Sequence, residues 1–125
     1  MAREHNPVGW FEIPATDIQR AAAFYGQVFG IGLEVRSMGN ALVAMFPSTP
    51  GSTGTSGMLV QAEESVPSAH GVMIYFTEPD IDGALTRVEE AGGEVVVPLT
   101  SIGPYGWVGI FTDSEGNRIG LHSRR

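Results

Sequence analysis

The chain has 125 residues, a length that suits one domain with one core. Its net charge is −7 and it has only seven Lys and Arg residues, a balance that disfavours nucleic-acid binding. It has no cysteine, which excludes disulfides, thiolate catalysis and cysteine metal ligation. No apolar run reaches the roughly 20 residues of a membrane span, and the first residues lack the apolar stretch of a signal peptide. We therefore expect one cytoplasmic domain over residues 1–125, with neither nucleic acid nor membrane as a partner.

The first half of the chain predicts a strand, a helix and three further strands. Residues 8–13 alternate as a strand does, and Pro14 ends that strand. Thr16 or Asp17 can cap the helix that follows, and Gly30 can stop it. The three further strands are predicted over 33–35, 41–46 and 58–61, with a breaker-rich loop at 47–57.

The second half predicts the same order of elements. Residues 71–77 form a strand, Asp80 can cap a helix, and the pair at 92–93 ends that helix. Three strands follow at 94–98, 107–112 and 118–122, with a loop at 103–106. In the last strand Ile119 and Leu121 share one face, and Arg118, Gly120 and His122 share the other.

The two halves are a repeat. The two capping residues, Asp17 and Asp80, are 63 residues apart. Other pairs at this offset are Ile18 and Ile81, Ala21 and Ala84, Gly30 and Gly93, Gly57 and Gly120, and Trp10 and Met73. The middle strands need a shift of two further residues, because Phe46 matches Phe111. A repeat of this length indicates a duplicated unit. We therefore predict an α+β fold of two tandem βαβββ modules, at about 7–62 and 71–123.

Three segments carry a resemblance to a known family. They are TDIQRAAAFYGQVFGI at 16–31, EPDIDGALTRVEEAGGEV at 78–95 and FTDSEGNRIGLH at 111–122. In this order and spacing they resemble the vicinal oxygen chelate superfamily, which includes glyoxalase I, bleomycin-resistance proteins and extradiol dioxygenases. The resemblance implies a curled mixed sheet around a central cleft, with the helices outside, and a homodimer. It indicates the activity only weakly, since this fold hosts many chemistries.

The resemblance also implies where a metal ion would bind. In metal-using members, each module supplies ligands from its first and last strands. Carried over to this chain, those positions hold Trp10 and Gly57 in the first module, and Met73 and Gly120 in the second. None offers an oxygen or nitrogen ligand from its side chain, and Met is a soft ligand suited to Cu(I). We therefore expect no cofactor and no metal at these four positions.

Three polar side chains lie at positions that we assign to the cleft: Glu12, Tyr75 and His122. A carboxylate beside an imidazole raises the pKa of the imidazole and fixes its tautomer, so the pair can act as a general base or bind a polar group. We take the three as candidate catalytic residues. The alternative is a hydrogen bond between strands with a purely structural role.

Five further side chains are candidate ligand-binding residues: Trp10, Gln61, Met73, Tyr105 and Trp107. Aromatic and Met linings suit flat or irregular organic molecules. The favoured hypothesis is a metal-free protein that binds a small, partly aromatic molecule in an apolar cleft, as the bleomycin-resistance branch does. The alternative is a glyoxalase-related lyase or isomerase, or a dioxygenase, whose relocated metal ligands include Glu12 and His122. A third hypothesis is a subunit that only packs against a partner.

Overall fold

The computed structural model describes residues 6–125, which form two sheets and two α-helices. The first module comprises β1 (Phe11–Pro14), α1 (Ile18–Phe29), β2 (Val35–Met38), β3 (Ala41–Met45) and β4 (Gly57–Gln61). The second comprises β5 (Tyr75–Thr77), α2 (Ile81–Glu90), β6 (Glu94–Ser101), a 3₁₀ turn (Gly103–Tyr105), β7 (Trp107–Thr112) and β8 (Arg118–Ser123). The predicted α+β class and the repeated βαβββ order are confirmed. Neither α-helix is long and apolar enough to cross a membrane.

Each module folds into a mixed sheet of four strands. The strand orders are β1-β4-β3-β2 and β5-β8-β7-β6. The first and last strands of each module are parallel neighbours, and the other neighbours are antiparallel. As a result, β1 and β5 are edge strands. Each is shorter than the sequence predicts, because hydrogen-bond pairing with one neighbour defines only part of the extended segment.

Both helices begin at the predicted caps. The Asp17 carboxylate accepts a hydrogen bond from the Arg20 N–H at 3.1 Å, and the Asp80 carboxylate accepts one from the Gly83 N–H at 3.1 Å. Helix α1 ends at Gly30, whose φ of 65° lies in the left-handed region that glycine adopts without strain.

The two modules share one core on the side of each sheet that carries the helices, here called the helix face. Its largest fully buried side chains include Tyr25, Leu59, Phe111 and Leu121. Burying one such aliphatic or Phe side chain contributes roughly 1.5–3 kcal/mol. Helix α1 packs against α2, so the core is continuous across the junction between the modules.

The opposite side of each sheet is here called the open face. Strand alternation places Glu12 and Met58 there in the first sheet, and Tyr75, Gly120 and His122 there in the second. Close packing on the open face of the first sheet is limited to a small cluster around Val43, Met58 and Val60. The open faces are therefore where a ligand has access.

The turn between β7 and β8 of the second module binds the first module through hydrogen bonds to Glu115. One Glu115 carboxylate oxygen accepts hydrogen bonds from the N–H groups of Thr16 and Asp17, both at 2.9 Å. The other oxygen lies 2.7 Å from Nε of Arg20 and accepts from the Ser114 hydroxyl. Burial by itself raises the pKa of Glu115, but these donors together lower it from the usual 4.5 to about 2.

The same turn carries a buried polar network. The Tyr25 hydroxyl donates to Asp113 at 2.6 Å, and the Asn117 amide donates to Asp113 at 3.0 Å and to the Pro14 carbonyl at 2.8 Å. Burial raises the pKa of Tyr25 well above its usual value, and the charge of Asp113 raises it further. The network fixes β1 relative to β8, and it therefore fixes the geometry of the junction.

Candidate functional site

The edge strands β1 and β5 approach each other at the junction of the modules, here called the seam. On the helix face of the seam the Phe11 and Phe76 rings meet edge to face, with centroids 5.6 Å apart. Because side chains alternate along a strand, Glu12 of the first module and Tyr75 of the second lie on the open face, and Trp10 lies one residue before β1. Trp10 is 46% exposed and Tyr75 is 49% exposed. Large aromatic rings that flank a junction and remain half in solvent are available to a ligand.

Two cavities lie along the seam. The first, of about 260 Å³, is here called the connector cavity. It is lined by residues 12–14 and 117–119, by Ile74, and by Val66, Ser68, His70 and Val72 of the segment that joins the modules. The second, of about 430 Å³, is here called the loop cavity. It is lined by Phe11, by residues 74–77 and by the loop residues 53–55.

The two cavities are related by the internal repeat. Residues 12–14 in the connector cavity correspond, at an offset of 63, to residues 75–77 in the loop cavity. The two cavities differ in the loop that borders them. The long loop between β3 and β4 of the first module borders the loop cavity, whereas only a short turn lies between β7 and β8 beside the connector cavity. The connector cavity contains Glu12 and the loop cavity contains Tyr75, and neither contains His122.

The three candidate catalytic residues occupy separate environments. Nε2 of His122 lies 2.7 Å from the carbonyl oxygen of Tyr105, so this nitrogen carries the proton and donates. Glu12 is exposed, lines the connector cavity and forms no hydrogen bond with His122. Tyr75 lines the loop cavity and lies over Gly120, where an added Cβ would meet its ring. The expected Glu12–His122 pair is not formed, because the tip of His122 is held by the 103–105 turn.

Two of the predicted ligand-binding residues lie on the wrong face. The Gln61 side chain accepts a hydrogen bond from the Ile18 N–H at 2.8 Å, so it caps α1 on the helix face. Trp107 pairs with Ser123, and it lines a small cavity beside the start of α2. Both assignments to the cleft are therefore corrected. The reason is that side chains alternate between the two faces along a strand, and in β7 it is Val108, paired with His122, that lies on the open face.

The other predicted ligand-binding residues are placed as follows. Trp10 lies at the mouth of a polar cavity formed with the 47–56 loop. Met73 is half-buried, two residues before Tyr75. Tyr105 is largely exposed in the 3₁₀ turn, and its part in the open face is to hold His122 through its backbone carbonyl.

The strand pairing corrects one of the four family metal positions. Gly57 pairs with Phe11, and an added Cβ there would overlap the Phe11 ring and its backbone oxygen, so Gly57 belongs to the helix face. The open-face residue equivalent to Gly120 is Met58, at an offset of 62. In the preceding strands the offset between the modules is 65, because Phe46 matches Phe111. The loop before β4 is longer than the turn before β8, and this difference reduces the offset to 62 in the last strands.

The corrected positions still do not fit a divalent ion. They hold Trp10, Met58, Met73 and Gly120, and none of these side chains supplies the oxygen or nitrogen donors that Zn²⁺, Mn²⁺ or Fe²⁺ prefer. Across residues 6–125 the structure also shows no group of three or more His, Asp and Glu side chains that would hold a metal ion elsewhere. No step of a metal-centred mechanism can be built from these residues.

Sequence reasoning missed Arg118, which lines the connector cavity. Its Nε atom is buried and has no hydrogen-bond partner. The signal was in the strand alternation, since Arg118 shares the open face with Gly120 and His122. Glu115 and its contacts were missed for another reason, since its partners in α1 lie 95 or more residues away in the chain.

The two sheets, the paired modules and the open seam define a glyoxalase-like fold. The sequence model of the Glyoxalase/Bleomycin resistance protein/Dioxygenase superfamily matches residues 8–121. The chain belongs to this superfamily.

Among curated proteins, one similar in length is a "Glyoxylase-like domain-containing protein" of Didymella fabae, 28% identical over 96% of this chain and 95% of its own length. The "Putative glyoxylase CFP32" of Mycobacterium bovis is 30% identical over 90% of this chain, and the "Anthracycline biosynthesis protein DnrV" of Streptomyces peucetius is 29% identical over 86%. The chain spans 43% of the length of each of these last two proteins.

Among solved structures, TnmS3, described as "an antibiotic binding protein from Streptomyces sp. CB03234", superposes with a TM-score of 0.71. It is 27% identical to this chain, and the match covers 100% of this chain and 99% of TnmS3. A glyoxalase/bleomycin resistance protein of Albidiferax ferrireducens T118 superposes with a TM-score of 0.74 at 14% identity, over 96% of this chain and 100% of its own. The second likeness supports the fold alone.

Proposed function

We propose that this protein binds a small, partly aromatic organic molecule at the seam between its modules, without a metal ion. The observation that carries the proposal is the placement of two half-exposed aromatic side chains beside the seam, with Tyr75 on the open face of β5 and Trp10 one residue before β1. Cavities of about 260 and 430 Å³ lie along the same seam. Ligand pockets for drug-sized molecules are about 300–1,000 Å³, so the loop cavity is of suitable size.

The chemistry of the seam favours binding over catalysis. The aromatic rings offer large contact areas at a small cost in side-chain entropy. The imidazole of His122 is already held by a backbone carbonyl, and Glu12 forms no hydrogen bond with it through which a proton could pass. The seam thus supplies contact surface and a few polar groups, which is what a binding protein requires.

The comparisons support the same class of ligand. TnmS3 is described as an antibiotic-binding protein, and DnrV takes part in anthracycline biosynthesis by its name. Many such compounds contain fused aromatic rings, which would stack on Trp10 and Tyr75. Fused-ring aromatic compounds are therefore the first ligands to test.

The two tryptophans provide a matched pair of variants for the test. Both are partly exposed, Trp10 at 46% and Trp107 at 38%, but Trp10 lies beside β1 and the 47–56 loop whereas Trp107 lies beside the start of α2. A panel of fused-ring aromatic compounds would be screened by thermal shift, and the dissociation constants of hits measured by calorimetry. Trp10→Ala should weaken binding at least tenfold, whereas Trp107→Ala should change it by less than about twofold.

Either of two outcomes would overturn the proposal. One is equal weakening by the two tryptophan variants, because binding would then not depend on the seam. The other is the absence of any bound compound in the panel, with the protein shown to be folded by its cooperative thermal transition.

We also propose a homodimer that covers part of the open face. Apolar side chains next to the seam are strongly exposed in the single chain, with Val72 the most exposed of them at 94%. Val66, which lines the connector cavity with Val72, is 71% exposed, and large exposed apolar side chains that lie together mark interaction sites in soluble proteins. Sedimentation equilibrium should give twice the 13.3 kDa chain mass, and a single 13.3 kDa species at micromolar concentration would refute the dimer.

A further inference from the structure

The connector cavity is lined by an arginine side chain whose hydrogen bonds are incomplete. Arg118 lines this cavity, and its Nε atom is buried without a hydrogen-bond partner. In the part of the chain that the structure describes, ion pairs join Arg20 to Glu115 and Arg36 to Glu34, and Arg118 has none. A buried charged donor without a partner is unfavourable, so it is rare in folded proteins unless something outside the chain completes it.

The neighbouring Asn117 and Ser68 side chains already make other hydrogen bonds, and the exposed Glu12 carboxylate, which lines the same cavity, forms no ion pair with Arg118. The Asn117 amide accepts from the Ser68 N–H at 3.1 Å and donates to the Pro14 carbonyl at 2.8 Å. The Ser68 hydroxyl is bonded to the backbone of His70. These contacts make a rigid polar wall around Arg118 and leave the guanidinium as the group with donors to offer.

Part of the wall is apolar. Val66, Val72 and Ile74 line the same cavity. These side chains offer apolar contact to the hydrocarbon part of a ligand whose charged group faces Arg118. A guanidinium is a planar group with several N–H donors, and two of them form a fork that matches the two oxygens of a carboxylate.

We infer that Arg118 in the connector cavity recognises a carboxylate, and that the ligand is an aromatic or otherwise apolar organic monoacid. This inference rests on the proposed binding function and adds the chemical class of the ligand. Glu12 lines the same cavity and is exposed, so its charge opposes a second negative charge on the ligand. Monocarboxylates should therefore be preferred over phosphate monoesters, which carry close to two charges at neutral pH.

The test compares three probes of the same ring system: 2-naphthoate, its neutral analogue 2-naphthamide, and 2-naphthyl phosphate. Dissociation constants are measured by calorimetry for the wild type, for Arg118→Gln and for Arg36→Gln. Arg36 is the matched control, because it is also an arginine, pairs with the exposed Glu34 at 3.3 Å and lines none of the seam cavities. A thermal melt of each variant checks folding, and Arg118→Lys provides a second variant that keeps the charge but lacks the fork.

The wild type should bind 2-naphthoate at least tenfold more tightly than 2-naphthamide, and more tightly than 2-naphthyl phosphate. Arg118→Gln should abolish the preference for the acid and change 2-naphthamide binding by less than about twofold, whereas Arg36→Gln should keep the preference. Arg118→Lys should retain part of it, and the preference in the wild type should shrink as salt is added.

Equal binding of 2-naphthoate and 2-naphthamide to the wild type would overturn the inference, as would a preference that survives in Arg118→Gln. Both results leave the proposed binding function intact, since the neutral aromatic probe still binds. Failure of 2-naphthoate to bind the wild type also overturns the inference. The proposed function falls with it only when the wider panel of aromatic compounds is negative as well.

Discussion

The Glu115 carboxylate joins the two modules, and its replacement by Gln tests how much this contact contributes to stability. Its side chain is 1% exposed, and its pKa is lowered from 4.5 to about 2. A difference of about 2.5 pKa units corresponds to roughly 3.4 kcal/mol. The Arg20 partner is 53% exposed, so solvent screens part of this interaction, and we expect about 2 kcal/mol. Glu115→Gln should therefore lower the free energy of unfolding by about 2 kcal/mol at pH 7.

The effect should depend on pH in a defined direction. A carboxyl group whose pKa is lower in the folded state stabilises the fold fully above its unfolded pKa of about 4.5. That contribution is lost as the pH falls from about 4.5 through the folded pKa of about 2, because the unfolded chain then binds the proton first. The difference between wild type and Glu115→Gln should thus be largest at pH 7 and approach zero near pH 2.

Urea unfolding, followed by circular dichroism at several pH values from 2.5 to 7, measures this difference. Glu34→Gln is the control, because Glu34 forms an exposed ion pair at 3.3 Å that should contribute less than about 1 kcal/mol. Equal unfolding free energies for wild type and Glu115→Gln at pH 7, or a difference that does not change with pH, would refute the reasoning about the junction.

Three further substitutions test the packing of the seam. Gly57→Ala should destabilise the fold by about 1–3 kcal/mol, because the new Cβ would overlap the backbone oxygen of Phe11, which cannot move freely. Gly120→Ala should cost less than about 1 kcal/mol in urea unfolding, because its Cβ meets only the half-exposed ring of Tyr75, but displacing that ring should weaken binding of the aromatic probes. Tyr25→Phe should cost about 1–2 kcal/mol, since it removes the hydroxyl that donates to a buried carboxylate; an unchanged urea midpoint would contradict that role.

The fold could be predicted from the sequence because its signals are local. Asp17 and Asp80 each cap a helix within three residues of themselves, and Gly30 ends α1 with a positive φ. Periodicity alone predicts single helices and strands. The internal repeat also predicts that the two halves of the chain fold as two copies of the same βαβββ module. Edge strands were bounded inaccurately, since each pairs with only one neighbour: β1 and β5 are shorter than predicted, and β2 shares one residue with its predicted range.

The site was harder to predict because it depends on which face of a strand a residue occupies. The assignment of Gly57 failed by one residue, since the longer loop before β4 changes the offset between the modules, and one residue changes the face. Trp107 was chosen for its side chain without regard to its face, and pairing with Ser123 places it beside α2. Arg118 was overlooked because its incomplete hydrogen bonding is visible only in three dimensions.

The most direct test of the central claim is the affinity for an aromatic ligand measured with and without divalent metal. Protein treated with EDTA and protein supplied with Zn²⁺, Ni²⁺, Mn²⁺ or Fe²⁺ would be titrated with one compound that binds, and their metal content measured. We expect the same dissociation constant in all samples and no stoichiometric metal. One bound metal ion per chain, or an affinity that appears only with metal and is lost in Glu12→Ala and His122→Ala, would contradict this expectation.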